Sequence, residues 1–405
     1  MGLNDTPSAN RLHISFFGKR NAGKSSVMNA VTGQDLAVVS DYAGTTTDPV
    51  YKSMELLPLG PVMMIDTPGF DDVGELGAKR VGKTMQVLNK TDIAVLVVDA
   101  NAGIEKEEEI FLDKIKFKEI PCVVVFNKMD EAADILSKQQ KHPALAGLSV
   151  ISVSAKTGEN IHALKEIIAA CYQESANQIH LVSDFVSRGD YVIMVIPIDA
   201  AAPKGRLILP QQQAIRDCLE AGAYSIAVKE TELKDVLESL PVKPKLVITD
   251  SQAFQRVSAE TPEDILLTSF SILMARYKGV LDQSIEGVRA IRNLKDGDVV
   301  LISEGCTHHR QCGDIGTVKI PGWIRQFTDG KEIRIETTSG TEFPEDLSKY
   351  ACIIHCGGCM LNEREMLSRM RRAKDEGIPF TNYGIAIAYM TGILERSIEV
   401  IYKNR

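Results

Sequence analysis

Apolar positions along this chain gather into short runs, and the stretches between them repeat at helical spacing. Up to about residue 172 the strand-like runs are 13–17, 62–66, 93–99, 122–127 and 149–152, with amphipathic segments in between. That alternation predicts an α/β domain built on a mostly parallel sheet. The polar segment 173–180 then reads as a linker.

A second pattern of the same kind follows, with strands expected at 191–196, 224–228 and 246–249 and helices at 211–221 and 232–240. Its sheet has an open edge that must be covered or paired, so this small α/β unit is the expected site of self-association, as a homodimer. Thr261-Pro262-Glu263-Asp264 combines a capping threonine, a proline at the first helical position and early acids. These predict a helix from there to about Tyr277. Strands at 298–303 and 350–354, a hairpin-like region around Trp323, and helices at 362–376 and 384–402 complete a third unit. The expected architecture is α/β in three domains, at 1–174, 180–260 and 261–405.

Composition narrows the classes of function. A length of 405 residues suits two or three domains. No run approaches the ~20 apolar residues of a bilayer crossing, so neither a membrane span nor a signal peptide is expected. A net charge of -8 disfavours nucleic acid as a partner. The one dense basic run, 364–374, contains Glu365 and is followed by Asp375 and Glu376, which reads as a solvated helix face. Eight cysteines at irregular spacing do not form a disulfide framework and point to a reducing cytoplasm. Cys122, Cys171 and Cys218 lie in apolar or helical patterns and read as core.

Four motifs at successive strand ends carry the first chemistry. Gly18-Lys-Arg-Asn-Ala-Gly23-Lys24-Ser25 follows a strand and opens a helix, as a phosphate-binding loop must. Its N–H groups cradle phosphates, Lys24 reaches the β/γ oxygens and Ser25 binds Mg²⁺. Asp66-Thr-Pro-Gly69 puts Asp66 beside the Mg²⁺ and the Gly69 N–H at the γ-phosphate. In Asn127-Lys128-Met129-Asp130 the aspartate accepts from guanine N1 and N2, a donor pair that adenine lacks, and Ser154-Ala155-Lys156 completes the base pocket. The expected GTP contacts are thus Gly18, Asn21, Ala22, Gly23, Lys24, Ser25, Ser26, Thr46, Asp66, Gly69, Asn127, Lys128, Asp130, Ser154, Ala155 and Lys156. Lys24, Thr46, Asp66 and Gly69 are the expected catalytic set. Thr46, in the switch-like run Gly44-Thr-Thr-Thr-Asp48, completes the Mg²⁺ shell with Ser25.

Over about the first 170 positions these residues resemble the TrmE-Era branch of translation-factor GTPases. Asn21 matches the asparagine that ligates K⁺ in several of those enzymes. Phe70 stands where many GTPases carry a water-orienting glutamine. The expectation is slow hydrolysis of GTP to GDP and phosphate, stimulated by K⁺ in place of an arginine finger.

The second chemistry lies near the other end, in Cys306-Thr-His308 and, after 46 intervening residues, His355-Cys356-Gly-Gly-Cys359. Both pieces follow predicted strands. If those strands are parallel neighbours, their carboxyl ends open on one edge, where α/β ligand sites form. Cys306, Cys356 and Cys359 are the expected thiolate ligands, with His308 and His355 as further ligands or supports. By pattern alone the site fits either structural zinc or a 4Fe-4S cluster with one iron lacking a cysteine.

Cys-x-His, a gap of 46 and His-Cys-x-x-Cys behind such a GTPase domain resembles the HydF family of FeFe-hydrogenase maturation GTPases over the whole chain. The resemblance implies a 4Fe-4S scaffold that carries a diiron precursor bearing CO, cyanide and a dithiolate bridge. It also implies delivery to apo-hydrogenase and two radical-SAM maturases upstream. The alternative is a ribosome- or RNA-associated GTPase with a zinc-stabilised tail, which would want a basic, aromatic-studded last domain. This tail has one Trp and balanced charge.

Overall fold

The computed structural model describes residues 7–33, 48–71, 74–131, 142–172, 179–198, 207–306 and 314–403. It divides into two compact units, Met1–Ala176 and Asn177–Arg405.

The first unit is a six-stranded sheet of β1 (Leu12–Phe17), β2 (Val50–Leu56), β3 (Gly60–Asp66), β4 (Ile93–Asp99), β5 (Cys122–Asn127) and β6 (Ser149–Ser152). The strand order is β2-β3-β1-β4-β5-β6, parallel except for β2 against β3. Successive residues of a strand face opposite sides. Accordingly Val95 and Val97 pack into one core and Leu96 and Val98 into the other. Such doubly covered strands read as unbroken apolar runs, which is why the pattern found them. Strand β2 is an edge strand whose burial alternates, and the apolar-run pattern did not reveal it.

Helices α1 (Lys24–Thr32), α2 (Gly74–Asn89) and α3 (Lys106–Phe117) link the strands, and helix Ile161–Cys171 follows β6. A capping box starts α3, where the Glu108 carboxylate accepts from the Glu105 N–H at 3.2 Å.

Two parallel four-stranded sheets form the second unit around one continuous hydrophobic core. The first runs β10-β9-β7-β8, from β7 (Tyr191–Val195), β8 (Tyr224–Val228), β9 (Leu246–Thr249) and β10 (Leu266–Ser269). The second runs β12-β11-β13-β14, from β11 (Val299–Glu304), β12 (Arg334–Ser339), β13 (Cys352–His355) and β14 (Phe380–Asn382).

Three local expectations are corrected here. Thr261 does not open a helix: its N–H and hydroxyl both donate to Val257 O, at 2.9 and 2.6 Å, so it closes the preceding one. The residues after it form β10, and the helix begins only at Phe270, capped by Ser269, whose Oγ accepts from the Ile272 N–H at 3.2 Å. Trp323 lies on helix Ile320–Phe327 rather than in a hairpin. The last helical stretch is two helices, Tyr383–Met390 and Leu394–Tyr402, broken where Gly392 turns with φ 78°.

Candidate functional site

In the first unit the phosphate loop joins β1 to α1. Gly23 is left-handed at φ 89°, and a Cβ there would stand 2.2 Å from Asn127 Nδ2, so only glycine fits. Lys24 is buried, and its ammonium donates to the carbonyls of Gly18 at 3.0 Å and Lys19 at 2.8 Å, which points it back across the loop. Ser25 Oγ donates to Asp66 Oδ2 at 2.5 Å. The other oxygen, Asp66 Oδ1, is buried without a hydrogen-bond partner. Burial raises the Asp66 carboxyl above its ordinary range, against the pull of Ser25 and Lys24. A hydroxyl and a half-satisfied buried carboxylate form a donor set suited to Mg²⁺.

Asn127 ties the motifs together: Nδ2 donates to Ala22 O and Oδ1 accepts from the Ala155 N–H, both at 3.1 Å. Lys128 is left-handed at φ 66° and its ammonium meets Asp99 Oδ2 at 2.5 Å. Burial alone would push the Asp99 carboxyl up, but Lys128 holds it below the usual carboxylate range. Asp130 lies on the exposed turn Met129–Glu131 that follows. Ser154 is buried and its Oγ accepts from the Thr157 N–H at 3.1 Å, while Lys156 is exposed. Asn21 is exposed and left-handed, at φ 62°. Thr46 and residues 44–47 lie outside the described residues.

Two features of this site are invisible in the motifs. The Lys19 ammonium, inside the phosphate loop, is held by three carboxylates before and at the start of α3: Glu105, Glu107 at 2.8 Å and Glu108 at 3.0 Å. Burial works against its charge, yet those carboxylates hold the ammonium above its ordinary range. Phe70 turns into the core and stacks on Phe111 of α3, with ring centroids 4.5 Å apart.

In the second unit the candidate cysteines follow two neighbouring strands. Strands β11 and β13 are parallel neighbours, with Ser303 beside His355, so Cys306 and Cys356 leave the same edge of the sheet. The Cys356 N–H donates to Ser303 O at 2.9 Å. Gly358 is left-handed at φ 63°, and a Cβ there would meet Met366 Sδ at 2.5 Å, so the two glycines let the chain fold tightly before Cys359. The N–H groups of Gly305 and Gly358 donate to Cys356 Sγ at 3.0 and 3.4 Å.

Burial pushes the Cys306 thiol up to about 12, reinforced by Cys356, Cys359 and Glu304. Cys356 is pushed up to about 11 by burial, against the two N–H donors. Cys359 is raised by burial and eased by Lys278. Buried thiols of which Cys306 is raised by both others and Cys356 by Cys359 are a donor set suited to a multiply charged cation, which takes up the negative charge when the protons leave. The thiol of Cys352, inside β13, is pushed up to about 12 by burial, as fits a core residue.

His355 is buried, with Nδ1 at 2.8 Å from Cys356 O and Nε2 at 3.1 Å from the Arg369 guanidinium. Arginine only donates, so Nε2 accepts and Nδ1–H donates to the carbonyl. Burial and Arg369 lower this imidazole to about 3. Arg369 is itself buried and also donates to Gly340 O at 2.9 Å and Glu365 Oε1 at 2.7 Å. His308 lies outside the described residues.

Sequence reasoning missed Glu304. It ends β11, is buried, and its Oε1 accepts from the Tyr383 hydroxyl at 3.2 Å. It acts electrostatically on both Cys306 and Cys356.

Comparison with known proteins follows the same division. A family model described as 50S ribosome-binding GTPase matches residues 13–128. The Hydrogen maturase F dimerization domain matches 181–279, and the Hydrogen maturase F tetramerization domain matches 282–400. Among curated relatives, tRNA modification GTPase MnmE of Chromobacterium violaceum is 37% identical over 158 residues, covering 38% of this chain and 33% of that protein. GTPase Der of Wolinella succinogenes is 33% identical over 188 residues, covering 44% of this chain and 39% of that one. The chain therefore spans well under half of these two relatives. A solved structure of an Aquifex aeolicus Era variant bound to GDP and aluminium fluoride is similar at 21% identity and TM-score 0.36, covering 56% of this chain and 97% of that one.

The chain thus carries a GTPase domain followed by two domains of the kinds described as dimerization and tetramerization domains. No helix among the described residues is long and apolar enough to cross a membrane. The two maturase-specific matches together fill more than half of the chain, behind its GTPase domain, and by them it belongs to the Hydrogen maturase F family.

Proposed function

We propose that the chain is a cytoplasmic GTP-regulated carrier that holds a 4Fe-4S cluster on Cys306, Cys356 and Cys359. On it the chain holds the diiron precursor of the hydrogenase active site and passes it to apo-hydrogenase. The observation that supports this reading is that Cys306, Cys356 and Cys359 follow the adjacent parallel strands β11 and β13 on one edge of the sheet, near enough to the buried Glu304 for it to raise both Cys306 and Cys356.

Glu304 is the candidate fourth ligand. A carboxylate binds iron less tightly than a thiolate and yields more readily to an incoming ligand. That gives the precursor a place to attach. His355 supports the site instead of ligating it, because both its ring nitrogens are engaged by protein groups. The cluster, when bound, would supply an iron with one readily exchanged ligand; the three cysteines and Glu304 would hold it.

The GTPase domain serves as the switch, with Lys24, Ser25, Thr46, Asp66 and Gly69 around the phosphates and Mg²⁺. Asn21 holds K⁺, and hydrolysis is slow and gates partner exchange. Two radical-SAM maturases load the carrier, which assembles as a homodimer through the unit at 180–260, with the cluster domain at 261–405. A zinc-stabilised RNA-associated GTPase is the competing reading. Anaerobic purification decides between them: a brown protein whose absorption bleaches with dithionite supports the carrier, and a colourless protein containing zinc refutes it.

A further inference from the structure

We propose that Asp71 orients the attacking water in GTP hydrolysis and accepts its proton, the role a glutamine plays in orienting water in many GTPases. The residue after the γ-phosphate-sensing Gly69 is Phe70, and its ring is spent on the core, stacked on Phe111 at 4.5 Å and 10°. The chain then returns to the nucleotide side. Asp71 Oδ1 accepts from the Arg20 N–H, within the phosphate loop, at 2.8 Å. The same oxygen lies 2.8 Å from where a Cβ on Gly69 would stand, and Arg20 N lies 3.0 Å from it. A carboxylate thus sits where the sensing glycine meets the phosphate loop, and any side chain at position 69 would displace it.

Anchoring Oδ1 on a main-chain donor fixes the direction of the second oxygen. In the reaction the water oxygen bonds to the γ-phosphorus while the bond from phosphorus to the bridging oxygen breaks, its electron pair leaving with GDP. One water proton passes to the second oxygen of Asp71 and from there to the departing phosphate. GTP and water become GDP and inorganic phosphate, and the carboxylate is restored. A positioned carboxylate serves the same purpose in kinases, where it accepts the proton of the attacking hydroxyl.

The test measures single-turnover GTP hydrolysis by full-length Asp71→Ala and Asp71→Asn proteins in Mg²⁺ and K⁺, beside their affinities for GDP and a non-hydrolysable GTP analogue. The alanine variant should hydrolyse on the order of 10²-fold more slowly. Its affinities should stay within about threefold of wild type. The asparagine variant should fall between, because its amide oxygen still accepts from water but takes no proton. Hydrolysis by Asp71→Ala within about threefold of wild type overturns the proposal. So does tighter analogue binding at an undiminished rate, which would make the contact a latch on the phosphate loop. Should Asp71→Ala fail to bind GDP, Asp71→Asn with intact GDP binding decides: a reduced rate supports the assignment and a wild-type rate overturns it.

Discussion

Replacing Arg369 with methionine removes the charge that organises the floor of the cysteine site and keeps most of the aliphatic stem. In the structure its guanidinium donates to Gly340 O at 2.9 Å, Glu365 Oε1 at 2.7 Å and His355 Nε2 at 3.1 Å, with a longer contact to Ser303 Oγ at 3.4 Å. The variant strands a carbonyl, a carboxylate and a ring nitrogen. A buried polar group left without a partner costs about 1–3 kcal/mol, and breaking a buried ion pair costs about 3–5 kcal/mol. The Glu365 side chain keeps 12% exposure and recovers some hydration, so these costs do not simply add. The expected loss is about 3–5 kcal/mol, against a usual domain stability of about 5–15 kcal/mol. Urea unfolding followed by tryptophan fluorescence reads this directly. The chain has one Trp, Trp323, on helix Ile320–Phe327 of the second unit. The midpoint should fall with the slope unchanged. Arg371→Met, an exposed position on the same helix, is the control and should stay within about 0.5 kcal/mol of wild type. A loss below about 1 kcal/mol in Arg369→Met would refute the buried-network reasoning.

Other outcomes follow from the same geometry. Asn127→Ala cuts the links to Ala22 and Ala155, so nucleotide affinity should fall at least about tenfold by equilibrium titration; unchanged affinity would show that the two loops hold themselves. Alanine at Cys306, Cys356 or Cys359 should abolish visible absorption, whereas Cys352→Ala should keep it, since that thiol is buried inside β13. Hydrolysis should be faster in K⁺ than in Na⁺ at equal ionic strength, and equal rates would remove Asn21 from K⁺ binding.

What could be read from the sequence was what local pattern encodes. Doubly covered strands such as β4 and β5 show as apolar runs, and the phosphate loop and the paired Cys/His segments keep fixed spacing. Thr261-Pro-Glu-Asp264 misled because the same threonine that can open a helix here bonds backward to Val257. Strand β2 escaped because it is covered on one face only. Glu304 looked like an ordinary strand end, and the hydroxyl it accepts from, on Tyr383, is 79 residues away. The partners of Lys19 are equally remote, Glu105 being 86 residues further along. Such groups acquire their roles from tertiary contacts that no short spacing reports.

The proposed carrier role requires that an iron-sulfur site at the β11–β13 edge hold a diiron precursor. Infrared spectroscopy of the anaerobically purified chain, co-expressed with the two radical-SAM maturases, tests it most directly, because metal-bound CO and cyanide absorb where protein does not. Such bands are expected in the wild-type chain together with activation of apo-hydrogenase, and both should be lost in Cys356→Ala with GTP hydrolysis retained. Activation of apo-hydrogenase by a colourless, zinc-containing chain without those bands would contradict it.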